Sequence, residues 1–152
     1  MEIERKYLLN ELPPNLSSFP CHVIEQAYLC TDPVVRVRRE DDSYYMTYKG
    51  KGLLARQEAN LPLNKEAYLH LCGKADGYTI SKKRYLIPLG PHLTAELDVF
   101  SGNMEGLIMA EVEFESEEDA NNFQPPSWFG REVTFDPKYH NSNMSKMPRM
   151  DI

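Results

Sequence analysis

The chain has 152 residues, a formal charge of −6 and a pI near 5.2, a balance that speaks against general nucleic-acid or membrane-surface binding, which rests on a basic excess. Its 41% hydrophobic and 26% charged content fits one globular domain, expected over residues 1–152, so a bound anion must meet a local concentration of Lys and Arg. No stretch has the ~20 apolar residues of a membrane helix, and Cys21, Cys30 and Cys72 lack CxxC spacing, so a cytoplasmic protein with reduced thiols and no zinc site is expected.

Alternation with a period of two dominates, the mark of strands with unlike faces. The first candidate sets Ile3, Arg5 and Tyr7 against Glu2, Glu4 and Lys6. Residues 21–29 follow, then Val35 and Val37 against Arg36 and Arg38, then residues 45–49. Segments 56–63, 78–87, 93–100 and 107–114 bring the total to about eight strands, with turn-forming residues at 40–43, 49–52, 89–91 and 101–103. Asn64 reads as the cap of a short helix ending near Gly73, and Ser116 opens another whose acids sit at the positive end of its dipole. Pro137 can open a final helix that closes one end of the sheet and offers Lys138 or Lys146 to a ligand.

The polar faces are sorted by charge. Glu2, Glu4 and Lys6 share a face, as do Arg36 with Arg38, Arg56 with Glu58, Lys82 with Arg84, Glu96 with Asp98, and Glu111 with Glu113 and Glu115. Any one pair is explained by a solvated face with cross-strand ion pairs. Together they carry more weight, because the opposite faces hold Ile3, Tyr7, Val35, Val37, Leu97, Val99, Ile108, Val112 and Phe114, which need cover. If helices cover them from outside, the charges point inward and line a barrel. Carboxylates suit Mg²⁺ or Mn²⁺, and Arg and Lys suit phosphate; both together suit a metal-bound polyphosphate. Glu115 is expected in solvent, and Glu96 is balanced between cavity and surface. His22, His70, His92 and His140 lack ligand spacing, and Trp128 with Phe129 reads as a hydrophobic seal.

Glu2-Ile3-Glu4-Arg5-Lys6 resembles the ExExK signature of the CYTH, or triphosphate tunnel metalloenzyme, superfamily. The resemblance continues in family order through Arg36-Val37-Arg38, Thr47-Tyr48-Lys49, Arg56-Gln57-Glu58, Lys82-Lys83-Arg84, Glu96-Leu97-Asp98 and Glu111-Val112-Glu113, and is strongest to the short bacterial inorganic tripolyphosphatases. It implies a mainly β (α+β) fold: a closed eight-stranded antiparallel tunnel with a few short helices outside and at the C-terminus. It also implies metal-dependent hydrolysis of tripolyphosphate to pyrophosphate and phosphate. Carried over residue by residue, Glu2, Glu4, Asp98, Glu111 and Glu113 would hold Mg²⁺ or Mn²⁺. Lys6, Arg36, Arg38, Lys49, Arg56, Lys82 and Arg84 would hold phosphates, with Glu2, Glu4, Lys6, Glu58 and Lys82 carrying the chemistry. The partner is a small-molecule triphosphate, and the homodimers common in the family stay open for this chain. A class IV adenylate cyclase, a nucleoside or thiamine triphosphatase, and a non-catalytic polyphosphate-binding module are the alternatives. One departure stands out: related short triphosphatases tend to carry a carboxylate where this chain has Asn60.

Overall fold

The computed structural model describes residues 1–149, so the expected domain end at Ile152 lies outside the described residues. Its sheet runs β1 (Glu2–Leu8), β2 (Cys21–Thr31), β3 (Val34–Glu40), β4 (Ser43–Lys49), β5 (Ala55–Arg56), β6 (Glu58–Leu63), β7 (Asp76–Gly90), β8 (Leu93–Ser101) and β9 (Ile108–Glu113). The helices are α1 (Lys65–Cys72), α2 (Glu117–Asn121) and α3 (Asn141–Met144). None is long and apolar enough to cross a membrane.

All pairings are antiparallel, in a 9-stranded sheet of order β5-β1-β9-β8-β7-β2-β3-β4-β6. Its two ends, β5 and β6, are consecutive in the chain and separated by Gln57, so the expected strand 56–63 is one segment split between both edges. Ala55 and Arg56 pair with β1, while Glu58 to Leu63 pair with β4. The sheet thus curls into a nearly closed barrel, fastened by the covalent chain and by the Gln57 carbonyl, which accepts from the Gly50 amide at 2.9 Å. Beyond β5, the remaining edge of β1 takes the segment at 130–134: Leu8 donates to the Arg131 carbonyl and Val133 to that of Lys6, both at 2.8 Å. Gly130 is required here, since a Cβ would stand 2.5 Å from the Leu8 carbonyl oxygen.

Both faces of the sheet are buried, against different surroundings. Outside, Ile3, Leu97, Ala110, Val112 and Phe114 pack under Ala120 of α2 with Phe123, Trp128 and Phe129. The Tyr7 and Phe129 rings lie 4.9 Å apart, which confirms the seal. Ala27 and Val37 pack under Tyr68 of α1. Inside, the alternating rows change character along the strands: Lys82 gives way to Ile80, Asp98 to Phe100, Glu111 to Met109, and Arg36 to Val34. The apolar ends of these rows pack with Tyr28, Tyr139 and Met144, so the C-terminal segment plugs one end of the barrel with hydrophobic side chains. The expected single helix is instead a 3₁₀ turn at Pro137–Tyr139 followed by α3.

Candidate functional site

The charged half of the interior encloses a cavity of about 400 Å³. Its wall is made by Glu2, Glu4 and Lys6 of β1, Arg36 and Arg38 of β3, Lys49 of β4, Arg56 of β5, Glu58 of β6, Lys82 and Arg84 of β7, and Glu111 and Glu113 of β9. Every proposed residue except Asp98 reaches this wall. Strand register explains why so many charges tolerate burial: Lys6 stands opposite Glu111, Arg56 opposite Glu2, Lys49 opposite Glu58, and Arg84 opposite Asp98.

The pairs are direct. Lys49 Nζ donates to Glu2 at 2.9 Å and lies 3.4 Å from Glu58, while Lys6 Nζ lies 3.4 Å from Glu4 and 3.8 Å from Glu111. Asp98, fully buried behind the cavity wall, takes a two-pronged contact from Arg84, with Nε at 2.8 Å and Nη2 at 3.0 Å, and an ion pair from Lys82 at 2.8 Å. Burial opposes charge on Arg84, but Asp98 and Glu96 outweigh it and leave the guanidinium well above its ordinary value. Lys82 shows the reverse balance: burial pushes it down to about 8 despite Asp98. Burial also opposes ionisation of Glu111, yet Lys6 and Arg84 hold it well below the usual carboxylate range.

Arg36 and Arg38 are less well compensated. Burial, then the neighbouring Arg38, lowers the Arg36 guanidinium, and its Nε is a buried donor with no partner among the described residues. Such an orphan donor is costly unless an anion completes it. Arg36 Nη2 donates to Thr47 Oγ1 at 3.1 Å, the Thr47 hydroxyl to Asn60 Oδ1 at 2.6 Å, and Asn60 Nδ2 to Glu58 at 3.2 Å. Asn60 therefore serves as a donor that aims Glu58, a task a second carboxylate could not do.

Several wall residues escaped the sequence reading. Glu40 and Tyr45 continue the alternating rows of Arg36-Arg38 and Thr47-Lys49, so longer rows would have found them. Glu96 faces the cavity, pushed up to about 7 by burial, and Glu115 is exposed. Asn141 and Ser142 of α3 also line it; Asn141 Oδ1 accepts from Lys82 Nζ at 3.0 Å and Gln26 Nε2 at 3.3 Å. Nothing in the sequence period points to them. Lys138 and Lys146, expected to face a ligand, are exposed and away from the wall.

The carboxylates fit a divalent cation by chemistry: Glu2, Glu4 and Glu113 offer hard oxygens near one another, with Glu4 opposite Glu113 in register. Burial, then Glu2, Glu4 and Glu58, raises Glu113, a repulsion that a bound cation would relieve. Among the described residues no three acids, histidines or cysteines converge in metal-holding geometry; Glu2 and Glu4 are in ion pairs with Lys49 and Lys6.

The CYTH domain model matches residues 1–150. An inorganic triphosphatase from Nitrosomonas europaea is 38% identical over 148 residues, covering 95% of this chain and 96% of the relative. One from Acetivibrio thermocellus is 35% identical over 153 residues, covering 97% and 94%. A crystal structure of an inorganic triphosphatase superposes with a TM-score of 0.72 at 35% identity, covering 97% of this chain and 95% of the other.

Proposed function

The chain belongs to the CYTH domain family, and from that premise we propose that it is a triphosphatase that hydrolyses inorganic tripolyphosphate to pyrophosphate and orthophosphate with Mg²⁺ or Mn²⁺. The observation that carries this reading is the cationic half of the cavity, above all Arg36, whose buried Nε lacks an acceptor among the described residues. Three anionic groups in a row match cations spread over several strands better than a single phosphate would.

In this reading Arg36, Arg38, Lys82 and Arg84 grip the non-bridging oxygens and neutralise charge that shifts to the leaving group. Lys6, Lys49 and Arg56 complete the grip on the β1 side. Glu2, Glu4, Glu111 and Glu113 would hold the divalent cation, which supplies charge neutralisation and a polarised water. With these carboxylates holding a cation, Lys6 and Lys49 would be free to donate to phosphate. Glu58, aimed by Asn60, would orient the attacking water. Lys82, lowered to about 8, can release a proton to the departing pyrophosphate near neutrality. Asp98 sits too deep for the expected metal role in this arrangement, and we assign it to positioning Lys82 and Arg84.

Purified protein assayed with Mg²⁺ or Mn²⁺ should release phosphate from tripolyphosphate faster than from ATP or thiamine triphosphate. Removing metal with a chelator should stop turnover, and Glu4→Gln should do so without loss of fold. Cyclic AMP from ATP would replace this reading with a cyclase, and metal-dependent binding without turnover of any triphosphate would replace it with a binding module.

A further inference from the structure

A second cavity of about 250 Å³ lies beside the plug, between α3 and the turns around residues 31–34 and 50–52. It shares Val34, Arg56 and Ser142 with the charged cavity, so these residues form a common wall. Its own lining adds Lys51 and His140. The turn that presents Lys51 depends on Gly52, whose φ of +136° and close approach to the Ala55 carbonyl exclude any side chain.

The lining is rich in unused hydrogen-bonding capacity. The Arg56 guanidinium has one long ion pair, Nε to Glu2 at 3.7 Å, and no hydrogen bond among the described residues. The Lys51 ammonium and Ser142 hydroxyl have no partner among them either, although Ser142 is only 8% exposed. His140, 7% exposed, uses Nε2 on the Thr134 carbonyl at 3.2 Å. A carbonyl only accepts, so Nε2 carries the hydrogen and Nδ1 is left as an acceptor. Asp32 is the acid of this lining and lies at its exposed rim.

Three donors and one acceptor are the complement of monohydrogen phosphate, whose ionised oxygens accept and whose hydroxyl donates. The geometry points to this side pocket as an orthophosphate site, adjoining the triphosphate site and separate from it. It rests on the proposed function only for its supply: orthophosphate released in the tunnel would pass Arg56 and Ser142 to reach it.

The test uses the full chain in chelator, so that nothing turns over. The protein is loaded with one equivalent of tripolyphosphate and titrated calorimetrically with orthophosphate. Binding should persist in the loaded protein and weaken about tenfold in Lys51→Glu, the scale of one charge-assisted hydrogen bond, with Lys51→Gln intermediate. Tripolyphosphate affinity should not change in either variant, which also reports that they fold. Absence of orthophosphate binding to the loaded protein, or binding indifferent to both substitutions, overturns the site. Failure to bind tripolyphosphate would count against the proposed function instead, and the Lys51 variants titrated without it still decide the pocket.

Discussion

Arg84 and Asp98 face each other across β7 and β8 with Nε and Nη2 at 2.8 and 3.0 Å from the carboxylate, and the same carboxylate lies 2.8 Å from Lys82 Nζ. One buried acid therefore sets two cavity cations. Asp98→Asn should destabilise the fold by about 3 kcal/mol or more, the cost of leaving buried charges without their partner. It should also weaken tripolyphosphate binding in metal-free protein. Weakened binding only when metal is present would return Asp98 to the metal site. Urea unfolding and calorimetry with and without chelator separate the two.

Loss of solvent around the half-buried Glu96 pushes it up to about 7, against the pull of Arg84 at 3.0 Å and with Glu111 and Asp98 adding to the rise. Its folded pKa is raised, so below about 7 it is largely neutral and stops competing for Arg84. Metal-free tripolyphosphate affinity should thus rise as pH falls from 8 to 6, a range in which Lys82, at about 8, also gains its proton, and Glu96→Gln should reduce that rise, leaving the part due to Lys82. An unchanged profile in the variant would assign the titration to another group.

Asn60→Asp keeps the acceptor for Thr47 but loses the donor that holds Glu58 and adds a charge beside it. Tripolyphosphate binding without metal should weaken, by up to about tenfold for one charge at this range. Half-saturating Mg²⁺ should fall in the same variant. Movement of both quantities in the same direction would show that Asn60 acts otherwise.

Arg5 forks onto Glu132 at 2.7 and 2.6 Å, and Glu132 also accepts from Thr134, which receives the Lys6 amide. The hydrogen bond from Arg5 leads in lowering the Glu132 carboxylate below 4.5, against burial. A depressed folded pKa contributes stability above the unfolded value that is lost as pH falls through the folded one. Glu132→Gln should cost about 1 kcal/mol at pH 7 and less than that below pH 4, since both partners keep some solvent contact. Faster hydrogen exchange at Leu8 and Val133 should accompany it at pH 7.

Much of the site was legible because a strand has a period of two. Glu2-Glu4-Lys6 and Lys82-Arg84 each occupy one face by geometry alone, and the apolar residues between them demanded cover on the other. Glu40 and Tyr45 extend the rows of Arg36-Arg38 and Thr47-Lys49; what else escaped came from elements without that period. Asn141 and Ser142 reach the wall because a short helix folds back into the barrel end, and His140 is buried there by the same plug. The split of segment 56–63 was also hidden, since nothing at Gln57 interrupts the local pattern and the two edges that it joins are set by pairing with β1 and β4.

The sequence by itself determined the chemistry of each face: which residues alternate, and which acids and bases share a side. These follow from local backbone geometry, which neighbours in the chain fix. Only the tertiary structure decided the partners. Register set Arg84 on Asp98 and sank that acid behind the wall, left Arg36 Nε without an acceptor among the described residues, and turned Asn60 into a donor for Glu58. Those outcomes depend on how each strand is paired with its neighbours, where a shift of one residue would turn each side chain to the opposite face.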